Sequence, residues 1–160
     1  MSKSTGQTPE KDDAALAYDA MLRLLAKREY SAFELRQKLR TKYPKDAVLK
    51  ALNLCIEKNY QSDLRYAQML LRHCEFSLTG PIKLKADLIK KGIGPDIDPG
   101  VGEVSWEDLA HKALCKKFRT PGDGPGAELD YAARQKALAY LGRRGFTQDQ
   151  CLKALQRFCL

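Results

Sequence analysis

One pattern recurs three times in this chain of 160 residues. An amphipathic helical stretch ends at an aromatic, a hydroxyl residue caps the next helix, and a basic helix follows. The first copy is Tyr30-Ser31-Ala32-Phe33-Glu34-Leu35 and the last is Phe146-Thr147-Gln148-Asp149-Gln150. A looser copy, Phe76-Ser77-Leu78-Thr79-Gly80-Pro81, lies between them. Repetition at roughly 45 to 60 residues predicts stacked helical units, each too small to bury its own apolar face alone. The expected fold is all-α: an elongated, curved array of three tandem three-helix, helix-turn-helix-like repeats. Such an array presents a surface for reading a partner and little room for a deep catalytic pocket.

The spacing of apolar residues places the elements. A first helix is expected over about 13–29, with Tyr18, Met21, Leu22 and Leu25 on one face. Ser31 and Glu34 form a capping box for a second helix reaching about Lys42, with Leu35 and Leu39 inward. Pro44 stops it, and a third helix carries Val48, Ala51, Leu52, Cys55 and Ile56. Ser62 caps a fourth, with Ala67, Leu70, Leu71 and Cys74 inward, and Asp63 complements its dipole. Pro81 opens a fifth, for which Ile82, Ala86 and Ile89 are the expected inward face. The Gly/Pro-rich stretch Ile93–Ser105 reads as loop with at most one helical turn near Asp96–Asp98. Trp106, Leu109, Ala110 and Ala113 anchor the next helix; a long helix over about 129–144 and a last one with Leu152, Leu155 and Cys159 complete the chain. The expected organisation is a disordered tail 1–12, repeat one 13–60, repeat two 61–105 with its third helix truncated or loop-like, and repeat three 106–160 with a mobile loop 120–128.

The formal charge of +8, from 28 basic against 20 acidic side chains, is spread along the chain and not confined to a tail. Diffuse positive charge suits an acidic surface, either nucleic acid or an acidic protein assembly. The five cysteines are odd in number, contain no CxxC pair and fall largely on apolar helix faces, which points to a reducing, cytoplasmic compartment. No apolar run approaches the roughly 20 residues that span a bilayer. Enzyme chemistry fits poorly. His73 and Cys74 are neighbours that diverge by about 100° on a helix, and His111 with Cys115 lacks a second nearby His or Cys. No phosphate-cradling or nucleophile-elbow motif occurs. Neither a cofactor nor a metal is expected.

The segment Asn59-Tyr60-Gln61-Ser62-Asp63-Leu64-Arg65-Tyr66-Ala67, with Arg72 a further turn on, resembles the central signature of the RecX family, bacterial regulators of the RecA recombinase. Three further stretches are similar to that family in the same order. They are Leu24–Ser31 with Glu34, Leu35 and Leu39; Gly80-Pro81-Ile82 leading to Leu88 and Lys91-Gly92-Ile93; and Arg143-Arg144-Gly145-Phe146-Thr147. Gln61 and Ser62 depart from the pattern by replacing an aliphatic residue and an acid. The resemblance implies a three-repeat protein that lies in the groove or at the end of a RecA–DNA filament. There it would reduce recombination and the coupled ATPase activity, without cofactor or chemistry of its own.

The candidate partner-binding residues are the cations that a groove binder would present. Arg36 and Arg40 lie one turn apart, Lys112, Lys116 and Arg119 form a longer row, and Arg143 and Arg144 crowd a helix end. Lys83 and Lys90 join them, although with Asp87 and Lys91 they also fit a simple intrahelical ion-pair ladder. Arg65 and Arg72 occupy the family signature, and Arg65 serves equally well as a strut to a neighbouring helix. A monomer with weak direct DNA contact and no membrane contact is the expected state. The competing reading is a helix-turn-helix transcriptional regulator. The exposed residues are mostly Lys and Arg, without the Asn and Gln that read adenine, which disfavours it.

Overall fold

The computed structural model describes residues 12–118 and 129–160. Residues 1–11 of the expected tail, Arg119, and the expected loop 120–128 lie outside the described residues. Eight α-helices and one 3-10 turn are present among the described residues, and no strand. The fold is an all-α helical repeat fold.

The described residues form two compact units, the first built from those between 12 and 66 together with Lys91–Ile97. It contains α1 (Asp13–Leu25), α2 (Ala32–Leu39), α3 (Lys45–Glu57) and the first turn of α4 (Asp63–Ser77). α1 packs chiefly on α3, and α2 closes the core. That core is Ala17 and Met21 from α1, Leu35 and Leu39 from α2, and Val48, Ala51, Leu52 and Cys55 from α3, with Tyr30 sealing the turn between the first two helices. Ser31 caps α2: its Oγ accepts the Glu34 amide at 3.1 Å, and Glu34 reaches back to the Ser31 amide. Ser62 caps α4 by accepting the Arg65 amide at 3.2 Å.

The second unit comprises Ala67–Lys90 and the described residues of Asp98–Leu160. It holds the rest of α4, then α5 (Pro81–Lys90), α6 (Trp106–Phe118), α7 (Tyr131–Arg143) and α8 (Gln148–Phe158). α6 packs on α8 and on α7. Leu109, Ala110, Ala113 and Leu114 meet Ala137, Leu141, Cys151, Ala154 and Leu155 in its interior, and Phe146 plugs the turn before α8. Thr147 and Gln150 form a second capping box, so the first and last copies of the sequence repeat share both a buried aromatic and a reciprocal cap.

The structure corrects several expectations. In α5 the inward residues are Leu84 and Leu88, whereas Ile82 and Ile89 are 56% and 64% exposed and Ala86 is exposed too. This short helix carries two apolar stripes, and the period alone does not choose between them. The Leu84 and Leu88 pair at i, i+4 is the one that reaches the core. Ile56 and Leu152, expected inward, are also substantially exposed. In the middle copy of the repeat, Phe76 is 89% exposed, because it still belongs to α4 and the chain turns only at Leu78, with φ of 55°. The single helical turn within Ile93–Ser105 forms at Val101–Glu103 instead of Asp96–Asp98. Asp98 explains the shift: its carboxylate accepts the amides of Gly100 and Val101 at 2.9 and 3.0 Å and initiates the turn there. α1 and α2 each end three or four residues early, at Leu25 and Leu39.

Candidate functional site

The signature segment is first of all a joint within the first unit. The Gln61 side chain is buried and donates to the Tyr30 carbonyl at 3.2 Å and to Asp63 Oδ1 at 2.9 Å. The same Asp63 oxygen accepts the Ala32 amide at 2.9 Å, satisfying a free N–H at the start of α2. Gln61, which departs from the family pattern, is therefore a fitted part, since its amide supplies a donor that an aliphatic residue lacks.

Arg65 completes the joint. Its Nε donates to Glu29 at 3.0 Å, and its two terminal nitrogens donate to the Asn59 side chain and to the Asn59 and Tyr60 carbonyls at 2.9 to 3.1 Å. These carbonyls close α3, where Asn59 adopts a left-handed conformation with φ of 59°. One guanidinium thus bonds the end of α3 and the acid after α1, the strut role weighed for it above.

Glu34 is the electrostatic centre of this unit. Its side chain is 11% exposed, with Lys91 Nζ at 2.7 Å and Arg28 at 3.4 Å. Burial would raise its pKa, but the Lys91 ammonium, Arg28 and the Ser31 amide outweigh that and hold the carboxyl below its ordinary value. The Lys91 ammonium is raised in turn, mainly by its hydrogen bond to Glu34. Buried Tyr66 is pushed up by burial and then by the same carboxylate. A lowered carboxyl stabilises the fold above its unfolded pKa of about 4.3, and this contribution is lost as pH falls through the folded value. The raised ammonium stabilises below its unfolded value of about 10.4, and is lost as pH rises past the folded one. Glu34→Gln retains the cap but removes both ion pairs, so it is expected to cost roughly 1–2 kcal/mol at neutral pH after allowing for solvent screening. Thermal melts of both proteins from pH 3 to pH 8, about the carboxyl range, check this: the difference should shrink on the acid side.

In the second unit Arg144 performs the comparable task. Its Nε donates to the Leu78 carbonyl at 2.8 Å and a terminal nitrogen to the Ser77 carbonyl. Its own carbonyl accepts the Gly80 amide at 2.8 Å, and the Gly145 carbonyl accepts the Ile82 amide at 3.0 Å. Among the candidate cations, Arg65 and Arg144 are thus occupied inside the fold. Arg36, Arg40, Arg72, Lys83, Lys90, Lys112, Lys116 and Arg143 are exposed and form no ion pair among the described residues. The ladder considered for Lys83, Asp87, Lys90 and Lys91 does not form, and Lys91 is committed to Glu34. Asp108 stands one turn before Lys112, but its carboxylate is taken by Arg157 of α8. Lys153 bridges Glu107 and Asp149, both at 2.9 Å, so both acids of α6 are bound to cations of α8.

His111 Nε2 and Cys115 Sγ lie 3.6 Å apart, and His111 meets the Phe158 ring edge-on. No group of three or more metal-ligating side chains occurs among the described residues. The five cysteines are free thiols. No described helix is long and apolar enough to cross a membrane.

The family model for the first three-helix domain of RecX matches residues 17–54, over α1 to α3, and the model for the third matches residues 106–155, over α6 to α8. The regulatory protein RecX of Legionella pneumophila (strain Corby) is 36% identical over 144 residues, covering 88% of this chain and 93% of that protein. The chain belongs to the RecX family. The regulatory protein RecX of Acidithiobacillus ferrooxidans (strain ATCC 53993 / BNL-5-31) is 39% identical over 149 residues, covering 92% of this chain and 93% of its own length. The crystal structure of RecX from Lactobacillus salivarius superposes with a TM-score of 0.76 over 92% of this chain and 97% of that chain, at 22% identity, a likeness of fold. A crystal structure of a regulatory protein RecX gives the same TM-score at 26% identity, covering 91% of this chain and 74% of that one. Within this RecX-family chain, sequence patterns did not reveal the Asp63–Ala32 bond or the Glu34–Lys91 pair. Their partners are 31 and 57 residues apart, and nothing local marks them.

Proposed function

We propose that this protein is a negative regulator of a RecA-type recombinase that binds in the groove or at the end of the recombinase–DNA filament and inhibits recombination and the coupled ATPase activity. Three units, 13–60, 61–105 and 106–160, serve as the docking modules, acting as a monomer in the cytoplasm. The observation that carries the reading is that the acids of α6 are committed to α8 while two of its exposed lysines form no ion pair among the described residues. Glu107 and Asp108 are bound to Lys153 and Arg157 of α8, while the exposed Lys112 and Lys116 form no ion pair among the described residues. Uncompensated cations on a rigid helix in a regulatory family fit contact with a carboxylate- or phosphate-rich assembly. Arg36, Arg40, Arg72, Lys83, Lys90 and Arg143 are the further contact residues of this reading, with Arg119 outside the described part. Arg65 and Arg144 act through the joints they hold.

Lys112→Glu with Lys116→Glu is the test. Binding to recombinase-coated single-stranded DNA should weaken on the order of tenfold, with helicity and melting temperature unchanged. The wild-type protein should bind naked DNA weakly and with strong salt dependence, and coated DNA much better. Undiminished inhibition by the double variant would remove α6 from the interface. Discrimination among duplex sequences would favour a transcriptional regulator instead.

A further inference from the structure

Phe33, Val48 and Leu49 line a groove of about 380 Å3 along α2 and α3, together with Arg36, Arg40 and Lys45. Val48 is buried, Leu49 half-buried, and Phe33 is 36% exposed, so Phe33 and Leu49 are the accessible apolar part of the lining. Phe33 is backed by Gly92, whose φ is +71°: a Cβ on Gly92 would stand 2.7 Å from the Phe33 Cβ. The bare α-carbon lets the aromatic side chain settle at the groove edge. All three cations are exposed, and none forms an ion pair among the described residues. The nearest carboxylate in the chain before them, Glu34, is already committed to Lys91 and Arg28.

We propose that this groove docks a short acidic peptide segment of a partner protein, one carrying a bulky apolar residue flanked by carboxylates. The apolar residue covers Leu49 against Phe33, and the carboxylates pair with Arg36 and Arg40, whose planar donors match a carboxylate edge, and with Lys45. A single nucleic-acid strand satisfies the cations through its phosphates but fits the lining less well. Strand-binding grooves stack successive bases on several aromatic faces, and Phe33 is the single aromatic here. A phosphate track would also leave the aliphatic surface wet. This inference rests on the reading that the protein docks on a protein filament, and it names the chemistry that one groove recognises.

The test uses the full-length protein and a fluorescein-labelled dodecapeptide of Asp and Glu with a central Leu-Phe pair. A second peptide carries Gly-Ser at the centre, and a labelled oligo(dT) is the third probe. The expected result is saturable binding of the Leu-Phe peptide, weakened about tenfold or more both by the Gly-Ser exchange and by Arg36→Glu with Arg40→Glu. Because both cations are exposed, that variant keeps its fold, checked by its melting curve. Lack of saturable binding up to about 1 mM overturns the proposal, as does equal binding of the two peptides or undiminished binding by the variant. Displacement of the peptide by oligo(dT), with the variant losing oligo(dT) binding, reassigns the groove to nucleic acid. Inhibition of recombinase ATPase is measured separately. If it persists while peptide binding fails, the groove inference falls and the regulator reading stands; if peptide binding holds without inhibition, the reverse is true.

Discussion

Gly80→Ala should destabilise the protein by about 3 kcal/mol or more, a far larger loss than a surface glycine would predict. The added Cβ would lie inside the peptide unit between Gly145 and Phe146. That obstruction is backbone, so no rotamer change relieves it. The segment also cannot retreat cheaply, because the Gly80 and Ile82 amides are bonded to the Arg144 and Gly145 carbonyls and Arg144 holds Ser77 and Leu78 from the other side. Backing away breaks several bonds at a buried position, each worth about 1 kcal/mol net and more where a group is left unpaired. Gly145→Ala meets the same difficulty with an added conformational cost. Its φ is +88°, and the new Cβ would stand 2.6 Å from the Lys83 Cβ and 2.8 Å from the Lys83 amide nitrogen. Gly142→Ala is the control, since nothing lies within 4 Å of its added Cβ and the site is helical. That change should be neutral or stabilising by up to about 1 kcal/mol. Urea melts of the three variants separate the outcomes. A Gly80→Ala protein as stable as the control would mean the contact between these two loops is not formed.

Arg65→Ala is the second large effect, expected at about 2 kcal/mol. Four hydrogen bonds are lost, two of them to carbonyls at the end of α3 and one to the Glu29 carboxylate. The guanidinium and Glu29 side chains are each about one-third exposed, 34% and 30%, so the ion pair itself contributes modestly. The larger share comes from the helix-end carbonyls and the left-handed Asn59 they flank. Arg65→Lys should recover less than half of the loss, because one ammonium cannot serve acceptors spread over three residues. Arg72→Ala, an exposed residue on the same helix, should leave stability within about 0.5 kcal/mol. The pair therefore separates two ways of losing inhibition: Arg65→Ala through a loosened joint with a lower melting temperature, Arg72→Ala through a lost contact at unchanged melting temperature.

Much of the helix plan was legible because its signals are local. The Ser31–Glu34 and Thr147–Gln150 boxes, Ser62 as a cap and Pro81 at a first turn each depend on residues within one turn of each other. Two results were not legible. The inward face of α5 depends on which of two stripes its neighbours accept, and Leu84 with Leu88 wins over Ile82 with Ile89 only in the folded unit. The role of Arg144 was also hidden, and Arg65 was readable only as one of two alternatives, since their acceptors lie on separate turns and become neighbours only after folding. Charge type is written in the sequence, but whether a cation is spent inside the fold or left for a partner is decided by tertiary geometry. Lys91 and Lys90 make the point as adjacent residues: one is bound to Glu34 and the other projects free of any ion pair among the described residues.

The most direct test of the regulatory reading is ATP hydrolysis by the cognate recombinase on single-stranded DNA, with this protein titrated from sub-stoichiometric to equal ratios. The reading predicts that hydrolysis falls well below one regulator per recombinase subunit, as expected when a few bound molecules control a whole filament. Hydrolysis unchanged at an equal ratio, with the protein shown to be folded by its melting curve, would contradict it.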